Sequence, residues 1–545
     1  MPSNSDLSQL SVAQQVGQTM MFGFHGSEPS PEIEHLIREH HIGGVILFAR
    51  NVGRPQDVLR LNTALQKIAY DAGHTHPLLI SVDQENGIVR RLGAGTTLFP
   101  GNMALGAAGR SAWAHDVAHA TGRELRALGF NFNLAPVLDV NNNPRNPVIG
   151  VRAYGEDPRQ VSEFGVEAIR GLQAAGLAAC GKHFPGHGDT SLDSHLTLPL
   201  IPHDRARLHA VELPPFLKAI SAGVDAIMIA HVVFPEFEPD DTPATLSHRV
   251  ITGLLREEMG FDGVITTDCM EMHAIAKTIG TVEGTYRAFL AGVDLSFISH
   301  THDWQRGAVE RFLRGVEEGE LTKERLEASV QRVLSLKEKY TSWDDWLPLF
   351  EKLEQGELTP DSVVGCAEHR QLARDVYEAA VTLTSTRPGA LPLQLKAEDR
   401  VAVVYLRNVS LSPVEDDRYL INPLATAIER QHSNVVRIEL SNPPTAEEIA
   451  EAVKTASTCQ AVVVGTLNAH LSEGQVELLR HLRDLPIPRL VVSMRTPYDS
   501  TVCEGFDAHI AVYEFTPEGI DVAAEAIFGK RQLMGRLPIS LEVSR

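Results

Sequence analysis

A chain of 545 residues with 43% hydrophobic, 22% charged and 6% aromatic side chains is globular in composition and too long for a single core, so two domains are expected. Its 49 Lys and Arg against 70 Asp and Glu leave a net charge of −21, and the scattered basic residues exclude an electrostatic footprint for nucleic acid and disfavour an anionic membrane. The start, "MPSNSDLSQLSVAQQVGQTM", has no basic stretch followed by an apolar one, and no run of about 18 apolar residues occurs, so export and membrane insertion are not signalled and a cytoplasmic location is expected.

From residue 10 to about 335, short apolar runs alternate with longer helical patterns, as repeated strand–helix units do. The runs are "GGVILFA" (43–49), "PLLISVD" (77–83), "FNFNLAPVLDV" (130–140), "GLAACGKHF" (176–184), "AIMIAHVVF" (226–234), "GVITTD" (263–268) and "VDLSFIS" (293–299). Each is continuous and apolar, as a strand buried on both faces must be. Asp83, Asp139, Lys182, His183, His231 and Asp268 fall at or just beyond the downstream ends of these runs, where a (β/α)8 barrel assembles its active site. The seven runs predict such a TIM-like barrel over residues 1–340, with one strand missed or irregular.

Residues 341–390 carry polar helical patterns and are read as a helical linker. A second alternation follows, with "DRVAVVYL" (399–406), "NVVRIEL" (434–440), "QAVVVGT" (460–466), "RLVVSM" (489–494) and "AHIAVYEF" (508–515) as buried-strand candidates. These predict a smaller C-terminal α/β sandwich domain over 391–545 built on a parallel sheet. No G-x-G-x-x-G or G-x-x-x-x-G-K-[ST] pattern follows any of these strands, so no nucleotide site and no cofactor is expected. The five cysteines, Cys180, Cys269, Cys366, Cys459 and Cys503, are odd in number and far apart, which argues against disulfides and zinc knuckles.

The densest chemistry lies in "GKHFPGHGDTSLDSH" (181–195), with three histidines, two aspartates and a lysine in fifteen positions. A metal could draw on His183, His187, Asp189, Asp193 and His195, joined by "HTHD" (300–303), but the ligands sit on a glycine-rich loop without a recognised ordered spacing, so no metal site is expected. A phosphate cradle is disfavoured because Lys182 precedes the glycines, the reverse of a P-loop. Asp193 and His195 at i and i+2 fall on one side of an extended segment, so a carboxylate–imidazole pair is feasible. Such a pair serves as an acid/base device or as an ordinary satisfied surface pair. A carboxylate raising a histidine by about one pKa unit, near 1.4 kcal/mol, would make its acid form dominant at neutral pH.

"KHFPGHGDTSLDSH" (182–195) resembles the signature of the β-N-acetylglucosaminidase branch of glycoside hydrolase family 3. "SVDQENGIVRRL" (81–92), "DVNNNPRNPVIGVRAYGEDP" (139–158), "IMIAHVVFP" (227–235), "GFDGVITTDCM" (260–270) and "AIFGKRQLMGRLPIS" (526–540) resemble its other blocks in order. The resemblance implies a retaining exo-β-N-acetylglucosaminidase acting on N-acetylglucosamine-containing oligosaccharides or glycosides. It makes Asp268 the nucleophile that forms a covalent glycosyl-enzyme, and His195 the acid/base, oriented by Asp193. It assigns Asp83, Arg152, Lys182, His183 and His231 to the terminal sugar, and leaves His187 and Asp189 to shape the loop. A carboxylate nucleophile facing a proton donor is what retention requires. Asn86 stands where the family pattern usually has glycine, and Cys269 and Met270 follow the nucleophile in place of an acidic residue and leucine, which puts the pocket wall rather than the chemistry in question.

A histidine acid/base also suits phosphate as the acceptor. An anionic carboxylate about 4 Å from phosphate would repel it by on the order of 4 kcal/mol per charge pair at an effective dielectric near 20. β-N-Acetylglucosaminide phosphorolysis is therefore the alternative reading, and metal-dependent hydrolysis a more distant one.

Overall fold

Eight parallel strands follow one another around a closed barrel in chain order: β1 (Met20–Phe22), β2 (Gly44–Leu47), β3 (Leu79–Val82), β4 (Phe132–Asn133), β5 (Ala178–Phe184), β6 (Ala226–Ile229), β7 (Val264–Cys269) and β8 (Leu295–Ile298). The computed structural model describes residues 7, 9–195, 197–410, 412–415 and 422–541. Side chains alternate across each strand. Met21, Ile46, Leu79, Phe132, Met228, Val264 and Leu295 fill the barrel interior, while Val45, Leu47, Ile80, Ile227, Ile229 and Ile265 point outward into the core shared with the helices. This double burial is why the strands read as unbroken apolar runs. Lys337, on the helix Lys323–Tyr340, is fully buried and reaches Gln18 Oε1 at 2.8 Å, just ahead of β1.

The second sheet has six strands in the order β11-β10-β12-β13-β14-β9, formed by β9 (Thr382–Thr386), β10 (Val401–Leu406), β11 (Val435–Leu440), β12 (Ala461–Thr466), β13 (Arg489–Ser493) and β14 (Ala508–Ala511). All neighbours are parallel except β9 against β14. Val401–Val404, Ala461–Val464 and Leu490–Val492 are fully or almost fully buried, with the helices Ala446–Ala456 and Glu473–Arg483 between them in sequence and Pro517–Ile527 after the last strand. The fold is thus a TIM-type barrel followed by an α/β domain. The two are joined through buried polar contacts: Gly101 N donates to Glu514 Oε1 at 2.8 Å, and His369 Nδ1 lies 2.8 Å from Glu124 Oε1.

Two strands escaped the sequence reading. β1 has three residues, two of them unbranched methionines, too short and too poor in β-branched side chains to stand out. β9 lies inside the stretch read as a helical linker. Its Thr-rich sequence TLTST is buried only at Thr382 and partly or fully exposed from Leu383 to Thr386 on the sheet edge, so it lacks the apolar run that marked its neighbours. The helices Trp343–Gln355 and Ala367–Ala380 account for the helical pattern in that stretch.

Candidate active site

The downstream strand ends converge. A cavity of about 570 Å3 opens at that end of the barrel, and Asp83, Arg152, Lys182, His183, His195 and Asp268 all line it. Ile46, Leu134, Met228 and Phe297 give it an apolar floor. Asp193 stands behind His195. His231 is completely buried and is not part of the cavity lining. Its Nε2 lies 3.0 Å from Cys269 O and its Nδ1 2.7 Å from Thr245 Oγ1. Burial pushes its pKa down, and because a carbonyl can only accept, Nε2 donates to the one that follows Asp268. His231 therefore braces the end of β7 from behind rather than lining the cavity, where the resemblance had placed it.

The most heavily charged wall is organised by a residue that the sequence reading passed over. Glu85, 6% exposed, receives Arg152 Nε and Nη2 at 2.8 Å each, and its Oε1 lies 2.6 Å from Lys182 Nζ. Burial raises its pKa, but the charges of Arg152 and Lys182 outweigh that and hold it far below the usual carboxylate range. Lys182 Nζ also donates to Asp83 Oδ1 at 2.7 Å. Two buried cations are thereby fixed against two carboxylates. The sequence did carry a signal, since Glu85 follows Asp83 by two positions in an extended segment.

Asp139 plays a matching part under the loop. Fully buried, it lies 2.7 Å through Oδ2 from His183 Nδ1, while Oδ1 accepts the backbone N–H of His187 at 2.6 Å. Burial raises its pKa, and the His183 charge and hydrogen bond lower it to a net depression. His187 then ties the loop to itself, with Nδ1 2.8 Å from Thr190 Oγ1 and Nε2 2.9 Å from Ser194 Oγ. Burial pushes His187 down to about 4, so it is neutral near pH 7. Asn146 Nδ2 donates to the carbonyls of His187 and Gly188 at 2.9 Å each. Gly188 is obligatory, because a Cβ there would sit 1.8 Å from Val140 O.

At the end of this braced loop, Asp193 Oδ1 accepts from the His195 backbone N–H at 2.9 Å and lies 2.7 Å from His195 Nδ1. Burial raises Asp193, but the His195 hydrogen bond and charge bring it down to about 2. With Nδ1 engaged, Nε2 is the ring nitrogen left for a ligand in the cavity. Asp268, at the end of β7, accepts the Cys269 N–H at 2.7 Å. Burial pushes its carboxyl up, and the charges of His183, His231 and His195 outweigh that, so it stays below its ordinary range. The site thus offers an anion held ionised and an imidazole whose one nitrogen is fixed by a carboxylate.

The outer wall was foreseen only at Cys269 and, as a metal-ligand candidate, at His300. Phe48, Arg50, Arg91, Cys269, Glu271, His273 and His300 line it, together with 413–415 from the segment after β10. Ligand atoms of Cys269, Glu271 and His300 lie within 4.8 Å of one another. The Glu271 carboxylate is committed, however, to the backbone N–H groups of Ser299 at 2.7 Å, His300 at 2.5 Å and Thr301 at 2.9 Å, and caps the loop after β8. Asp189, His203 and Glu212 form a second such group, closed by the His203–Asp189 contact at 2.6 Å and by Arg207 against Glu212 at 3.1 Å. Among the described residues, no helix is long and apolar enough to cross a membrane.

Residues 6–336 match the N-terminal domain of glycosyl hydrolase family 3. The chain is 30% identical to β-hexosaminidase A of Pseudoalteromonas piscicida, over 98% of this chain and 97% of that protein. It is 36% identical to a β-hexosaminidase of Stenotrophomonas maltophilia over 52% of this chain and 83% of that one. A solved structure of a family 3 β-N-acetylglucosaminidase from Paenibacillus sp. str. FPU-7 superposes with a TM-score of 0.90 at 41% identity, covering 98% of this chain and all of that one.

Proposed function

Because this chain belongs to glycosyl hydrolase family 3 and is a glycoside hydrolase of the β-hexosaminidase type, we propose that it removes terminal β-linked N-acetylglucosamine with retention of configuration. The observation that carries this reading is that Asp268 and His195, the latter paired with Asp193, line one cavity with Asp83, Arg152, Lys182 and His183. Asp268 attacks the anomeric carbon as the bond to the leaving oxygen breaks, and protonated His195 gives that oxygen its proton. A covalent glycosyl-enzyme results. Neutral His195 then takes a proton from water, whose oxygen displaces Asp268 and restores the original configuration.

Division of labour follows from electrostatics. Asp268 must be an anion and His195 an acid in the same step, and the depressed carboxyl of Asp268 supports the first. Asp193, held ionised, stabilises the imidazolium and selects Nε2 as the donor. Asp83, Arg152, Lys182 and His183 bind the hydroxyls and acetamide of the terminal sugar against the apolar floor. The substrates in this reading are N-acetylglucosamine-containing oligosaccharides or glycosides, and water is the acceptor.

NMR of an N-acetylglucosaminide digest, run with and without inorganic phosphate, tests both parts. Free β-N-acetylglucosamine as the first product under both conditions is expected. The α-anomer formed first removes the retaining mechanism, and sugar 1-phosphate as the main product replaces hydrolysis by phosphorolysis.

A further inference from the structure

The acid/base pair is completed from the other domain. Ser412, on the segment that follows β10, is 3% exposed, and its Oγ donates to Asp193 Oδ2 at 3.0 Å across 219 residues of chain. The segment is fixed from both sides. Arg91 Nη1, from the barrel, donates to Val414 O at 2.9 Å. Glu415 is buried and paired with Arg495, which follows β13, through contacts of 2.9 and 2.5 Å. Pro413, Val414 and Glu415 also line the cavity.

We propose that Ser412 is a positioning residue for general acid/base catalysis, and that the α/β domain thereby forms a working part of the barrel's active site. The inference rests on the reading of Asp193 and His195 as the acid/base pair. A carboxylate has two oxygens and can swing about its terminal torsion. Oδ1 is held by the ring and the backbone N–H of His195, and a hydrogen bond to Oδ2 restrains the carboxylate from its other end, which sharpens the orientation it imposes on the imidazole. Ser412 contributes one directed hydrogen bond to the oxygen that His195 does not use. It touches neither the sugar nor the leaving group, so its effect passes through Asp193.

The test compares Ser412→Ala, Ser412→Thr and Ser412→Val in the full-length enzyme, with Asp193→Ala as reference, on aryl N-acetylglucosaminides of graded leaving-group acidity. Thr and Val have the same shape and differ in the hydroxyl, which separates the hydrogen bond from packing. A hydrogen bond to a charged group predicts a fall in kcat/KM of about 10-fold or more on the poorest leaving group for the Ala and Val variants. On the most acidic leaving group, which needs little protonation, the change should be slight, and Thr should restore activity on both. Equal losses on good and poor leaving groups overturn the proposal in favour of a structural role, as does an unchanged profile. If Asp193→Ala itself shows no leaving-group dependence, the pair is not the acid/base and the broader functional reading fails with it.

Discussion

His195 is fixed twice by one oxygen of Asp193: Oδ1 lies 2.7 Å from the ring Nδ1 and accepts the backbone N–H of the same residue at 2.9 Å. The ring cannot rotate without breaking the first contact, and the carboxylate cannot drift without losing the second. If this pair is the acid/base, His195→Ala should reduce kcat/KM on poor leaving groups by about 100- to 10,000-fold, the usual span for a lost general acid. Activated aryl glycosides should lose far less, and a small anion such as azide should restore turnover by attacking the glycosyl-enzyme. Uniform loss across the series contradicts the assignment.

Glu85 predicts a stability effect. Glu85→Gln removes the buried anion facing Arg152 and Lys182 and leaves the two cations with only Asp83, which is bonded to Lys182. A cost of about 3–5 kcal/mol is expected for breaking such a pair from one side, measurable by denaturant unfolding together with weakened substrate binding. Unchanged stability would mean that Asp83 and solvent suffice to hold the cations.

Lys337 predicts a pH dependence that has no link to catalysis. Burial pushes its ammonium down to about 7, whereas in an unfolded chain it keeps its proton to about 10.4. Between those values the unfolded state binds more protons, so this residue makes stability rise with pH. Lys337→Met abolishes that contribution. The melting temperature of the variant relative to the parent should therefore be most favourable near pH 7 and decline towards pH 10, and a constant difference contradicts the buried-lysine account.

Much of this was legible in the sequence because barrel strands announce themselves. Runs such as "PLLISVD" and "GVITTD" end in Asp83 and Asp268, and the geometry brings both to one cavity. What escaped had a physical reason for doing so. β1 is three residues long and β9 is a half-exposed edge. Glu85 lies among polar neighbours, and its importance arises from Arg152 and Lys182, which are 67 and 97 positions away in the chain. Ser412 has no local signature, since a lone serine gains meaning only when β10 has delivered it to Asp193. His231 shows the converse. The resemblance assigned it to the sugar, but a residue just past β6 can point behind its neighbour as readily as into the mouth.

The most direct measurement is peptide mass spectrometry of the enzyme after reaction with a fluorinated N-acetylglucosaminide bearing a good leaving group, which slows breakdown of the intermediate. The account predicts one added sugar on the peptide that contains Asp268, and no label together with a loss of turnover of roughly 10,000-fold or more in Asp268→Asn. A sugar on any other residue, or full turnover by Asp268→Asn, would contradict it.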